Sequence, residues 1–170
     1  KKHLKRVIMK SLKFLQSLEL KCPPPIVMIV SGLVATLASQ RGFNFIQQQA
    51  AHVGNLIWPL VFIIAGICVA LLGVKEFNQQ QTTVNPLQPA KTTRLVTSGI
   101  FQLTRNPMYL GMLLVLLGWA DLLDNFLAYS GALIFFLYIS AFQIKPEEEV
   151  MKGKFNQEFS GYCSQVRRWL

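Results

Sequence analysis

Residues 56–74 form an apolar run without a single charged side chain, and nothing else in the chain restricts its fold as strongly. A helix satisfies its backbone hydrogen bonds internally, and roughly 20 predominantly apolar residues carry it across a bilayer, with about 17 to 25 tolerated. Residues 56–74 meet that requirement unaided. Further runs lie at 26–38, 108–120 and 126–142, the last two separated by "DLLDN". The 26–38 run follows Pro23, Pro24 and Pro25 and is short, so it must borrow from "SQRGFNF" or tilt and thin the bilayer. The 108–120 run is short as well, unless its helix starts at Pro107 and continues through "DLL". A buried or re-entrant helix is the alternative for either short run. Over 170 residues, 52% are hydrophobic and 15% charged, with a mean hydropathy of +0.37. That is more apolar material than a soluble domain of this size usually hides.

Charge placement orients the spans. With the first span leading out and the second returning, Arg41 is the one external residue among 17 Lys and Arg, whereas Asp121 and Asp124 lie outside. This asymmetry follows the positive-inside rule and predicts four spans with both termini cytoplasmic. The formal charge of +9 thus collects where anionic headgroups lie. No stacking platform or nucleic-acid motif accompanies it, so no nucleic-acid partner is expected. The opening segment, residues 1–22, is strongly basic and carries Leu4, Ile8, Leu12 and Leu15 at near-helical spacing. It reads as an interfacial amphipathic helix, against the alternative of a signal peptide with "ATLAS" as its cleavage site.

Cys22, Cys68 and Cys163 lie far apart without metal-ligand spacing, so free thiols and no structural zinc are expected. His3 and His52 are remote from the polar clusters. There is no glycine-rich dinucleotide fingerprint, no P-loop and no nucleophile elbow.

Two polar stretches remain. The connector 75–105 is long and lacks a strong helical stripe, and it runs into "TRNPMYLGM". Pro107 suits the first helical position and Asn106 is a favoured N-cap. Neither accounts for Arg105 or Tyr109, nor for Gly111, whose missing side chain permits close approach. The start of that helix offers free N–H groups and partial positive charge to an anion. The second stretch is 145–170, where Pro146 should end or kink the fourth helix. Glu147, Glu148 and Glu149 follow, and Phe155, Phe159, Tyr162 and Val166 then recur at amphipathic spacing. If this helix folds back over the third and fourth spans, a glutamate meets Arg105 or a ligand cation.

The segment "LVTSGIFQLTRNPMYLG", followed beyond two apolar helices by "PEEEVMKGKFNQEFSGYCSQVRRWL", resembles the isoprenylcysteine carboxyl methyltransferase family and the related phospholipid N-methyltransferases. Their pattern is a Leu-Val-x-x-Gly-x-Tyr turn, an Arg-His-Pro-x-Tyr-x-Gly helix start, and a later Glu-Glu-x-x-Leu with Phe-Gly-x-x-Tyr-x-x-Tyr. The likeness spans residues 83–170, about half of the chain. It implies an all-α, multi-span transmembrane bundle of about four spans, with the C-terminal amphipathic helix covering a cytoplasmic-side cofactor site. The corresponding divisions are 1–22 (basic interfacial helix), 23–75 (two N-terminal spans) and 76–170 (methyltransferase-like region).

The implied activity is S-adenosyl-L-methionine-dependent methyl transfer to a lipid-like or small hydrophobic acceptor entering from the bilayer. The accepting group is a carboxylate, an amine or a thiol. Carried over by position, Thr93, Arg94, Leu95, Val96 and Phe101 line the adenosyl pocket. Asn106, Pro107, Met108 and Tyr109 contact the cofactor at the helix start, and Glu147 holds its amino or ribose end. Arg105, Glu147 and Glu148 are the candidate catalytic residues.

The chain departs from the pattern at Asn106 in place of His, Phe101 in place of Tyr, and Asn156 in place of Gly. Gln143 stands where the prenylcysteine enzymes have an Arg tied to the substrate carboxyl. Two other readings are an NADPH-dependent membrane reductase of related fold and a non-catalytic lipid-binding protein. The sequence leaves the acceptor's identity and the oligomeric state open.

Overall fold

The computed structural model describes residues 19–39, 56–80 and 92–170. Among them the regular secondary structure is entirely helical. The four principal helices of the bundle are α1 (Pro24–Ala38), α2 (Ile57–Gln79), α3 (Pro107–Leu122) and α4 (Tyr129–Ile139). A π-helical turn (Ser140–Ile144) joins α4 to α5 (Lys145–Gln165), and short 3-10 turns occupy Gly99–Gln102 and Phe126–Ala128. Of the expected N-terminal interfacial helix, residues 1–18 lie outside the described residues, and 19–22 form a turn. His3, Arg41 and His52 also lie outside them.

Two of the helical stretches, Ile57–Gln79 and Phe126–Gln165, are long and apolar enough to cross a membrane by length and composition, whereas Pro24–Ala38 and Pro107–Leu122 are shorter apolar helices. Helix α3 begins at Pro107 and runs into the "DLL" segment, as its sequence suggested. Large apolar side chains on α1, α2 and α4, including Leu37, Trp58, Leu71 and Leu133, are more than half exposed. In a membrane, such faces are where lipid replaces a protein core.

Small residues bring the helices together. Helix α2 packs along α3, and α1 lies against α4 and α3. The α2–α3 seam is closest at Gly111, where an added Cβ would sit 2.8 Å from both the backbone nitrogen and the Cβ of Ala70. Backbone atoms cannot swing aside, so the seam requires a residue without a side chain there.

Pro146 does not end the fourth helix. The chain stays helical from Tyr129 to Gln165, widening to π geometry just before the proline. An ordinary residue at 146 would donate to the Phe142 carbonyl one turn earlier. Proline has no N–H to offer, and the Leu20 N–H donates to that oxygen instead, at 3.1 Å. The break falls ten positions later, at Asn156, whose φ of 41° and ψ of −110° interrupt α5. Beyond it Phe159, Tyr162 and Val166 turn inward onto Val96 and Phe101. This is the folding-back that the amphipathic spacing predicted.

Candidate active site

A cavity of about 120 Å³ lies where the end of α2, the connector, the start of α3 and α5 converge. Its connector wall is held from α2. The Ser98 hydroxyl donates to Glu76 Oε2 at 2.8 Å, and Gly99, at φ 56°, passes so close to Glu76 that a Cβ would overlap the carboxylate. Phe77 and Phe101 meet edge to face with ring centres 5.3 Å apart. The Tyr162 hydroxyl donates to the Phe101 carbonyl at 2.6 Å, tying the far half of α5 to the same turn.

The helix start differs from its sequence reading. Asn106 occupies the N-cap position of α3, but no side-chain cap bond forms. Its amide donates to the Arg168 carbonyl at 2.9 Å, while its backbone N–H is taken by the Thr104 hydroxyl at 3.2 Å. The Arg105 N–H donates to the Arg167 carbonyl at 3.0 Å. The C-terminal tail therefore competes successfully for the side chain that would have capped the helix, because its carbonyls have no helical partner of their own. Trp169 pins that tail to the bundle, donating to the Ser140 hydroxyl at 3.3 Å and packing on the Phe136 ring.

Glu147 and Glu148 both line the cavity, while Glu149 is exposed. The two inward carboxylates have different partners. Glu147 Oε1 accepts from the Tyr109 hydroxyl at 2.6 Å and from the Gln143 amide at 2.9 Å. Both donors are neutral, and both converge on one oxygen. Glu148 lies between two guanidiniums. Arg168 grips it with a fork, Nε to Oε1 at 3.1 Å and Nη2 to Oε2 at 2.6 Å, whereas Arg105 reaches Oε1 through Nη2 alone at 3.1 Å. Hydrogen bonding to Glu148 raises the Arg168 guanidinium further above its ordinary value. The Arg105 and Glu148 side chains are only 14% and 13% exposed. Arg105 Nε is buried and has no hydrogen-bond partner among the described residues. At this depth a charge without compensation is costly, and the fork geometry makes the pairing directional.

The sequence-predicted residues are gathered almost completely. Arg94, Leu95, Val96, Phe101, Arg105, Asn106, Pro107, Met108, Tyr109, Glu147 and Glu148 all line the cavity. Thr93 does not, and its neighbour Thr92, which is buried, takes that place in the wall.

Sequence reasoning did not assign Phe77, Met151, Phe159 or Tyr162 to the cavity, nor Arg168 to its carboxylates. Phe77 belongs to α2, which continues through Lys75 and Glu76 past the apolar run; the good helix formers there were the available signal. Phe159 and Tyr162 were visible as an apolar stripe. Arg168 had only a charge to mark it.

A sequence model described as phospholipid methyltransferase matches residues 55–158. The chain is also similar to an uncharacterized protein of Haemophilus influenzae (strain ATCC 51907 / DSM 11121 / KW20 / Rd), 49% identical over 63 residues that are 37% of this chain and all of that protein. No solved structure matches.

Proposed function

We propose a function from one premise: this chain belongs to the phospholipid methyltransferase family. It is an integral membrane methyltransferase that uses S-adenosyl-L-methionine and acts on a lipid-like or small hydrophobic acceptor. The observation that carries this reading is the unequal treatment of two adjacent carboxylates. Among the described residues Glu148 is matched by two guanidiniums, while Glu147 is met by neutral donors on one oxygen only. Burial pushes the Glu147 carboxyl up to about 7, so the site holds a carboxyl that a ligand cation would draw into its charged form and, at Arg105 Nε, an unused buried donor. Those two groups fit the ammonium and carboxylate of the cofactor's methionine end, and Phe77, Phe101 and Phe159 offer ring surfaces for its adenosine.

When bound, the cofactor supplies the electrophilic methyl group. The protein's own contribution is placement and exclusion of water. Tyr109 and Gln143 hold the Glu147 carboxylate in one orientation, with Oε2 left for the ligand. Arg105 and Arg168 hold Glu148 stationary. An acceptor that is already a carboxylate needs no base. An amine or thiol acceptor gives up a proton, and Glu147, free of a guanidinium, is the group placed to take it. Asn106 cannot titrate and acts as a hydrogen-bond donor to the tail.

Four spans with cytoplasmic termini put Lys75, Arg94, Arg105 and the whole cavity on the cytoplasmic side, the arrangement that the distribution of Lys and Arg supports. The catalytic region is then 76–170, preceded by spans in 23–75 and a basic interfacial segment in 1–22. The test is calorimetric titration of detergent-purified protein with S-adenosylhomocysteine and, separately, NADPH. Saturable binding of the first alone is expected. Binding of NADPH alone would replace this reading with the reductase one, and binding of neither would remove its support.

A further inference from the structure

The geometry points to Arg168 as a positioning residue that occupies Glu148 so that Arg105 stays free to take an anionic oxygen, which we assign to the cofactor's α-carboxylate. The assignment rests on the cofactor reading above. Its basis is how two cations divide one carboxylate. A guanidinium and a carboxylate form their strongest complex as two parallel bonds. Glu148 has room for one such fork, and Arg168 makes it, using both Oε1 and Oε2. Arg105, though more buried than Arg168, is limited to a single contact at an oxygen already shared. Its Nε is thereby left buried without a partner beside the cavity.

A buried, unpaired donor of a charged group is costly unless something fills it. The local charges explain what would. Glu148 carries one negative charge against the two positive charges of Arg105 and Arg168, so the trio retains an excess of one positive charge. Glu147 is engaged by the neutral donors Tyr109 and Gln143. Arg105 immediately precedes the N-cap position of α3, where no side chain caps the helix and the first N–H groups add to the positive potential. A carboxylate seated there balances both. Arg168 is held to this task through its own backbone, since its carbonyl accepts from Asn106 and Thr104. The tail cannot shift without disturbing the helix start. Removing the Arg168 guanidinium would let Glu148 turn and form the two-point fork with Arg105, satisfying Nε from within and closing the anion position.

The experiment compares two ligands in four proteins: the unmodified chain, Arg168→Ala, Arg168→Lys and the pair Arg168→Ala with Glu148→Ala. S-adenosylhomocysteine has the amino-acid end, and 5′-methylthioadenosine lacks it. Arg168→Ala is expected to weaken S-adenosylhomocysteine at least about tenfold while changing 5′-methylthioadenosine less than about twofold. Arg168→Lys, with a charge but no fork, should fall between. The double variant, in which Glu148 can no longer capture Arg105, should recover S-adenosylhomocysteine affinity to within about threefold of the unmodified chain. Equal losses for both ligands, or no recovery in the double variant, would show that Arg168 merely supports the fold and overturn the inference. An unmodified protein that binds neither ligand would overturn the cofactor reading and this inference together. Binding to the unmodified protein that is unaffected by Arg168→Ala would overturn the inference alone.

Discussion

Replacing Glu147 by Gln tests the site with the least disturbance of its frame. The Gln carbonyl can stand where Oε1 stands, keeping the bonds from Tyr109 at 2.6 Å and Gln143 at 2.9 Å. Because both neighbours donate, this is the orientation that satisfies them, and it sends the new NH₂ group to the position of Oε2. The substitution therefore exchanges an anionic acceptor for a donor at the point offered to the ligand. A hydrogen bond to a charged group contributes about 1.5–3 kcal/mol net. At about 1.4 kcal/mol per tenfold change, its loss corresponds to roughly 10- to 150-fold weaker binding of a ligand that places a cation there. Isothermal titration with S-adenosylhomocysteine reads this directly, with 5′-methylthioadenosine as the control that has no ammonium. Affinity for the first should fall in that range, while the control stays within about twofold. A Gln variant that binds S-adenosylhomocysteine as tightly as the unmodified chain would refute the assignment of Glu147 to a ligand cation. Equal losses for both ligands would refute the claim that the frame survives.

Two further predictions concern the scaffold. Gly111→Ala places a Cβ 2.8 Å from the Ala70 backbone nitrogen, so α2 and α3 must part; overpacking of this kind costs about 1–3 kcal/mol. The melting temperature in detergent should fall, whereas Gly153→Ala, with nothing within 4 Å of the added carbon, should leave it unchanged or raise it through helix propensity. A Gly111→Ala protein as stable as the Gly153→Ala one would contradict the close seam. Asn156→Gly should raise stability by about 1 kcal/mol, because the φ of 41° and ψ of −110° cost a side-chain-bearing residue about 1–3 kcal/mol, offset in part by glycine's freedom when unfolded. In a chain of this length that appears as a shift of about 2–4 °C in differential scanning fluorimetry. A lower melting temperature would mean that Asn156 is not strained.

How far the sequence could be read depended on whether a feature is local. Helices α2 and α3 declared themselves because an apolar run between polar connectors has few alternatives to a helix in lipid. The break at Asn156 was legible as a place where Asn stands in for Gly, since the demand for positive φ belongs to the residue itself. Most of the cavity wall was also within reach, because it is cut from three continuous segments around Arg94, Asn106 and Glu147. Asn106 and Pro146 were legible only in part, for a common reason. Each was judged by what its neighbours in the chain could offer, and each found its partner from far along the sequence: the Arg168 carbonyl for the Asn106 amide, and the Leu20 N–H for the carbonyl that Pro146 leaves bare.

The adjacent glutamates show where such reading stops. Nothing in "PEEEV" separates Glu147 from Glu148, and a helix turns only about 100° between them. That turn is enough to place Glu147 against α3 and the π turn, where Tyr109 and Gln143 wait, and Glu148 against the returning tail, where Arg168 waits. The chemistry that each carboxylate can perform follows from the charge of what it meets. Neutral donors hold Glu147 in place and leave one of its oxygens open, whereas guanidiniums occupy Glu148. One residue of rotation thus divides a run of like side chains into a ligand-facing group and a structural one.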